Sequence, residues 1–124
     1  MKNPSREIQT DASTSGGWGA VCNQKKTGGR WTEKEKGMHI NVLELLAIEN
    51  ALKSYREEVN GQHVKILTDN VCAVSYLRNM GGSRSHECND IAHRIWVWCL
   101  KRGIWLTVSH IPGKLNIGKC FRRF

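Results

Sequence analysis

The chain has no Cys-x-x-Cys pair, no apolar run longer than Ile95–Leu100 and no low-complexity tract. Each absence removes a class of protein. Its five cysteines, Cys22, Cys72, Cys88, Cys99 and Cys120, are odd in number and lack paired spacing. That argues against a disulfide framework and against a zinc ribbon, and favours a reducing compartment, cytoplasmic or nuclear. The longest apolar run is too short to span a bilayer, and Met1-Lys2-Asn3-Pro4 opens no apolar signal region, so no membrane role is expected. Negative charge is also scarce. Eleven Asp and Glu face 19 Lys and Arg, a formal net charge of +8, which favours a polyanionic partner, nucleic acid before acidic membrane.

At 124 residues, with 40% hydrophobic and 24% charged side chains, the chain has the makings of one globular domain over 1–124 with one sizeable core. Strands are expected at 7–11, Trp18–Cys22 and Arg30–Thr32, with Gly16–Gly19 as a turn and the polar Asn23–Gly29 as a hairpin loop. A long helix follows, at roughly 42–58. Counting about 100° per residue from Glu44, Ile48, Ala51, Leu52 and Tyr55 share its face within about 80°, whereas Glu49, Lys53, Arg56 and Glu57 fall opposite. A strand over His63–Asp69 leads into a helix from Val71 to Asn79, stopped by Gly81-Gly82. Ser83 or Ser85 caps a third helix at 86–102, and Ile104–Ser109 is the last strand. The order β-β-β-α-β-α-α-β predicts an α/β fold, a mixed five-stranded sheet with flanking helices.

Two segments echo one another: Ile8-Gln9-Thr10-Asp11-Ala12 and Ile66-Leu67-Thr68-Asp69-Asn70. Each reads as a strand running out onto an aspartate. If the two strands lie parallel with a crossover helix between them, Asp11 and Asp69 meet at one end of the sheet, where α/β folds place ligands. Taken singly, each aspartate reads equally as a cap or turn residue. Glu44 also has two readings. Asn41-Val42-Leu43-Glu44 has the spacing of a capping box, yet Glu44 sits at the middle of the apolar stripe, where an ionised carboxylate needs a compensating cation or donor. Mg²⁺ is a hard ion that takes such oxygen ligands, and two of them roughly 3.5–4 Å apart activate water and stabilise the leaving oxygen in phosphodiester cleavage. Lys25, Lys26, Arg30, Arg84, Arg94 and Lys114 are candidates for the basic surround such a site needs. His110, after the last strand, is a candidate proton carrier beside the acids, although a lone histidine there also reads as surface.

In order along the chain stand Thr10-Asp11-Ala12-Ser13, Gly17-Trp18-Gly19-Ala20, Gly29-Arg30-Trp31, His39-Ile40-Asn41-Val42-Leu43-Glu44-Leu45, Thr68-Asp69-Asn70 and His110-Ile111-Pro112-Gly113-Lys114-Leu115-Asn116. Together they resemble the ribonuclease H domain of a retroelement reverse transcriptase, most similar to that of DIRS-type elements, over residues 7–116. The resemblance implies Mg²⁺-dependent cleavage of the RNA strand of RNA–DNA hybrids, at a two-metal site that could also accept Mn²⁺. It places Asp11, Glu44 and Asp69 on three metal carboxylates and His110 on the family's loop histidine. It places Asn41 at a contact with the hybrid, with Asn70, Arg84 and Lys114 as further substrate-binding candidates. It also implies a polymerase domain of the same element as partner.

The chain departs from the family at the fourth carboxylate, expected ten residues after His110, where Cys120 stands. A thiol is a poor ligand for Mg²⁺. Residues 117–124 read as a truncated or degenerate tail. Two functions therefore compete, an impaired ribonuclease H-type endonuclease and a non-catalytic nucleic-acid-binding remnant. DNA cleavage by an integrase-like relative is a third, less well matched.

Overall fold

The computed structural model describes residues 6–79 and 85–111. Its five strands are β1 (Arg6–Ala12), β2 (Gly17–Cys22), β3 (Lys25–Arg30), β4 (His63–Thr68) and β5 (Trp105–His110). They form one mixed sheet in the order β3-β2-β1-β4-β5, antiparallel from β1 to β3 and parallel from β1 to β5. The helices are α1 (Glu33–Lys36), α2 (Ile40–Ser54), α3 (Arg56–Val59), α4 (Val71–Arg78) and α5 (His86–Lys101). The five-stranded α/β architecture expected from the sequence is the one observed.

The core follows from the strand period of two. Ile8 pairs with Cys22 on one side and Ile66 on the other, and Ile66 pairs with Val108, so one buried apolar row crosses four strands. Helix α2 packs on β1 and β2, α4 and α5 pack on β5, and the three helices contact one another. Residues 42–49 of α2 are all buried, including Leu43 and Leu46 off the main stripe, because α2 is covered by both the sheet and α5.

Three elements differ from expectation. Strand β3 lies at Lys25–Arg30, not Arg30–Thr32, because the hairpin closes through two residues, Asn23 and Gln24, both at positive φ. The expected loop is thus an edge strand, whose exposure explains its polar composition. Next, Thr32 begins the unexpected helix α1 by a capping box: its Oγ1 accepts from Glu35 N, and Glu35 Oε1 accepts from Thr32 N. Finally, the helix expected at 42–58 divides at Tyr55 into α2 and α3. Tyr55 donates its hydroxyl to Lys25 O at 2.5 Å, and Lys25 Nζ meets Glu58 Oε2 at 2.7 Å, so the break coincides with the point where the hairpin is tied down.

Gly17 shows why the Gly-Trp-Gly stretch belongs to β2 and not to a turn alone. A Cβ on Gly17 would lie 1.9 Å from Gly29 O on β3, so only glycine allows the two strands to close there. Ser13 closes the preceding turn, its N–H donating to Gly17 O and its Oγ accepting from Gly16 N.

Burial pushes the Tyr55 hydroxyl and the Cys99 thiol each up to about 12. Both groups are neutral in the folded state and ionise more readily when unfolded. Their contribution is therefore complete below the ordinary thiol and phenol range and is lost as pH rises toward 12. Thermal melts across that alkaline range should show a progressive fall in Tm, reduced in a Tyr55→Phe, Cys99→Ala double variant. An identical fall in the double variant would assign the loss to other groups.

Candidate metal centre

Strand register builds this site. In the parallel β1–β4 pair Ile8 lies opposite Ile66 and Gln9 opposite Leu67. Counting on in the same register sets Asp11 beside Asp69, so the sequence echo and the strand pairing share one offset. Asp11 lies in the last turn of the pleat of β1, and Asp69 follows β4 directly, just ahead of the N-cap of α4. An acid there is favoured by the positive end of the helix. Helix α2, packed on β1, brings Glu44 to the same point. One carboxylate oxygen from each of Asp11, Glu44 and Asp69 lies within 4.8 Å of the other two. Asp11 is 8% and Glu44 4% exposed.

The capping-box reading of Glu44 does not survive. The N-cap of α2 is His39, whose Nδ1 accepts from Asn41 N at 3.0 Å, so Glu44 stands two places past the third helical position. Asn41, expected as the cap, is inside the first turn. Its Oδ1 accepts from Asn70 Nδ2 at 3.0 Å. Asn70 is the N-cap of α4, where its Oδ1 accepts from Ala73 N at 2.7 Å and its own N–H donates to Thr68 Oγ1. The starts of two helices are thereby joined beside the carboxylates. No sequence signal announces His39, since histidine is an uncommon cap.

His110 is the last residue of β5 and pairs with Thr68. It is exposed at the same end of the sheet as Asp69, one strand across, and is not a member of the carboxylate cluster. Arg84, Lys114 and Cys120 lie outside the described residues. Of the basic candidates, Lys26 and Arg30 are exposed on β3. Lys25 is engaged by Glu58, and Arg94 by Glu49, so neither is a free cation for a ligand.

Glu49 was expected on the solvent side of α2 and is instead 5% exposed. Arg94 of α5 grips both its oxygens, Nε to Oε2 at 2.6 Å and Nη2 to Oε1 at 2.7 Å, with Lys53 Nζ 3.7 Å from Oε2. The partner lies 45 positions away, beyond the reach of helical periodicity.

Thr10, next to Asp11, points its Oγ1 into the core without a hydrogen-bond partner. Thr10→Val keeps the shape and removes a buried hydroxyl that gains nothing. The variant should be as stable as the parent or more stable by up to about 1 kcal/mol in denaturant melts. A loss of similar size would show that the hydroxyl is satisfied in solution.

The donor set suits a hard divalent cation. It consists of carboxylate oxygens without imidazole or thiolate, which favours Mg²⁺ or Mn²⁺ over zinc. Three acids this close, two of them buried, repel one another, and a cation at their centre relieves that repulsion.

The sequence profile of the RNase H-like domain found in reverse transcriptase matches residues 3–101. No curated protein sequence gives a significant match. Among solved structures, LC11-RNase H1, isolated from compost by a metagenomic approach and solved in complex with an RNA/DNA hybrid, superposes with a TM-score of 0.73 at 17% identity, covering 96% of this chain and 90% of that one. RNase H1 from the halophilic archaeon Halobacterium salinarum gives 0.69 at 16% identity, covering 95% and 94%. The protease-reverse transcriptase of prototype foamy virus gives 0.63 at 13% identity, covering 93% of this chain and 16% of that one. At these identities the likeness establishes the fold.

Proposed function

The chain belongs to the family of RNase H-like domains found in reverse transcriptase, and we propose that it is a metal-dependent endonuclease that cleaves the RNA strand of RNA–DNA hybrids. The observation that carries this reading is the convergence of Asp11, Glu44 and Asp69 from β1, α2 and the end of β4. We assign these three as ligands of Mg²⁺, or of Mn²⁺ in its place, in a two-metal arrangement. A divalent cation held there supplies charge neutralisation at the scissile phosphate and an activated water.

The protein's own groups do the rest. The carboxylates fix where the reaction occurs, and a divalent cation would offset the negative charge they gather there. Asn41, at the start of α2, offers a side-chain amide to the hybrid. Lys26 and Arg30, on the exposed edge strand, draw in the polyanion without reading its bases. His110, exposed one strand from Asp69, is assigned the role of exchanging a proton with solvent, which its position beside the acids supports. Arg84 and Lys114, candidates for the basic surround in the sequence, are assigned to phosphate contacts. The same resemblance suggests a retroelement of the DIRS type and a polymerase domain as partner, and a reducing compartment, cytoplasmic or nuclear. Among the described residues no helix is long and apolar enough to cross a membrane.

Cys120, in place of the family's fourth carboxylate, favours a second reading, a nucleic-acid-binding remnant with weakened chemistry. A hybrid labelled on each strand in turn, incubated with Mg²⁺ and with Mn²⁺, separates the two. The enzyme reading expects cuts in RNA alone, faster in Cys120→Asp. Hybrid binding without cleavage in either form would support the remnant, and cleavage of duplex DNA would contradict both.

A further inference from the structure

The hydrogen bonds at the starts of α2 and α4 fix more than two helix ends. Ala73 N–H is a backbone donor of the first turn of α4 and needs an acceptor, which Asn70 Oδ1 provides at 2.7 Å. That contact settles which way the Asn70 amide faces: its Nδ2 points the other way, toward Asn41. A donor arriving at 3.0 Å in turn settles the Asn41 amide, whose oxygen must face Asn70. Asn41, itself half-buried, then turns its Nδ2 away from Asn70, and no acceptor for that group is found among the described residues. The backbone of one helix thus orients a side chain on another through two amides.

We propose that Asn70 is a positioning residue that sets the Asn41 amide so that Asn41 meets the nucleic acid only as a hydrogen-bond donor. This rests on the hybrid-binding reading above and revises the part Asn70 plays in it, from direct contact to control of its neighbour. Its Oδ1 is engaged by Ala73 N, its backbone N–H by Thr68, and one N–H of its Nδ2 by Asn41. A donor facing outward suits the acceptors that a minor groove displays at every base pair, purine N3 and pyrimidine O2, and the oxygens of ribose. Such acceptors do not depend strongly on sequence. Asn41 so oriented would grip a hybrid of any sequence.

The test is binding of a short labelled RNA–DNA hybrid in EDTA, so that no strand is cut, to the full chain and four variants: Asn41→Ala, Asn70→Ser, Asn70→Asp and Asn41→Ala with Asn70→Ser. Serine and aspartate cap helices as well as asparagine does, so Tm should hold, but neither can donate to Asn41 as the amide does. Loss of about one hydrogen bond corresponds to a roughly five- to tenfold rise in Kd for Asn41→Ala and for Asn70→Ser alike. The double variant should match Asn41→Ala alone, because Asn70 acts only through Asn41. In cleavage assays Asn70→Ser should raise KM by a similar factor while kcat changes by less than about twofold. Asn70→Asp should lose at least as much affinity, with the excess over Asn70→Ser shrinking as salt rises.

Additive losses in the double variant would show that Asn70 touches the hybrid itself and would overturn the proposal. So would an Asn70→Ser variant that binds like the parent. If the parent chain fails to bind hybrid, the functional reading falls and takes this inference with it. If the parent binds and the Asn70 variants are unmoved, the inference alone falls.

Discussion

Asp69→Asn should abolish cleavage of the RNA–DNA hybrid while leaving the fold intact. Asparagine has nearly the shape of aspartate, and Asp69 is only partly buried, so packing changes little. What changes is charge. One of three carboxylates within 4.8 Å becomes neutral, and the cluster loses both a ligand and a share of its attraction for a divalent cation. Loss of a group that stabilises transition-state charge commonly costs a factor of about 10²–10³, and loss of the metal costs more, so residual activity below about 0.1% is expected. Stability should move the other way. In metal-free buffer the variant should melt at the same temperature as the parent or slightly higher, because two acids repel less than three. Added Mg²⁺ should raise the parent's Tm, since it binds the folded state, and should raise the variant's less. Retained cleavage in Asp69→Asn would remove this residue from the centre. A variant that unfolds would assign it a structural role.

Arg94→Ala is expected to produce the largest loss of stability. Glu49 is buried in the middle of α2, and the Arg94 fork bonds both of its oxygens. Removing the guanidinium leaves a buried carboxylate with only Lys53, whose Nζ is 3.7 Å away. Breaking a buried pair typically costs about 3–5 kcal/mol. Because Arg94 is itself half exposed, water screens part of this, and about 2–3 kcal/mol is the fitting figure. For a chain of this size that is a fall of about 10 °C in Tm. Glu49→Leu combined with Arg94→Leu should recover most of the loss, since the penalty comes from an orphaned charge and not from the missing pair. If Arg94→Ala melts within a degree or two of the parent, the pair is a surface contact of little energetic weight.

The carboxylate site was legible in the sequence for a physical reason. A parallel pair has a fixed register, so two strands that must bury the same face at the same level carry the same pattern, and their repeated Thr-Asp marks one height in the sheet. Glu44 stood out because a carboxylate on an apolar stripe needs compensation. The hairpin was harder to read because Asn23-Gln24 lacks glycine, and because an exposed edge strand such as β3 loses the alternation that betrays a strand. Tyr55 ends α2 while lying on the apolar face, and the break coincides with its hydroxyl reaching a carbonyl of β3, a contact that periodicity does not reveal. Glu49 was misplaced because its burial depends on a partner on α5. His39, Asn41 and Asn70 show the same limit: each residue is visible in the sequence, but their connection exists only once α2 and α4 start side by side.

The central claim is that Asp11, Glu44 and Asp69 form one divalent-cation site, and Mn²⁺ binding followed by electron paramagnetic resonance tests it most directly. Titrating Mn²⁺ into the full chain should quench the signal of the free ion, whereas Glu44→Gln should leave that signal largely intact at the same concentrations. Excess Mg²⁺ should restore it in the parent. If the parent leaves the free-ion signal unchanged, or Glu44→Gln binds Mn²⁺ as tightly as the parent does, the three acids are not the metal centre described here.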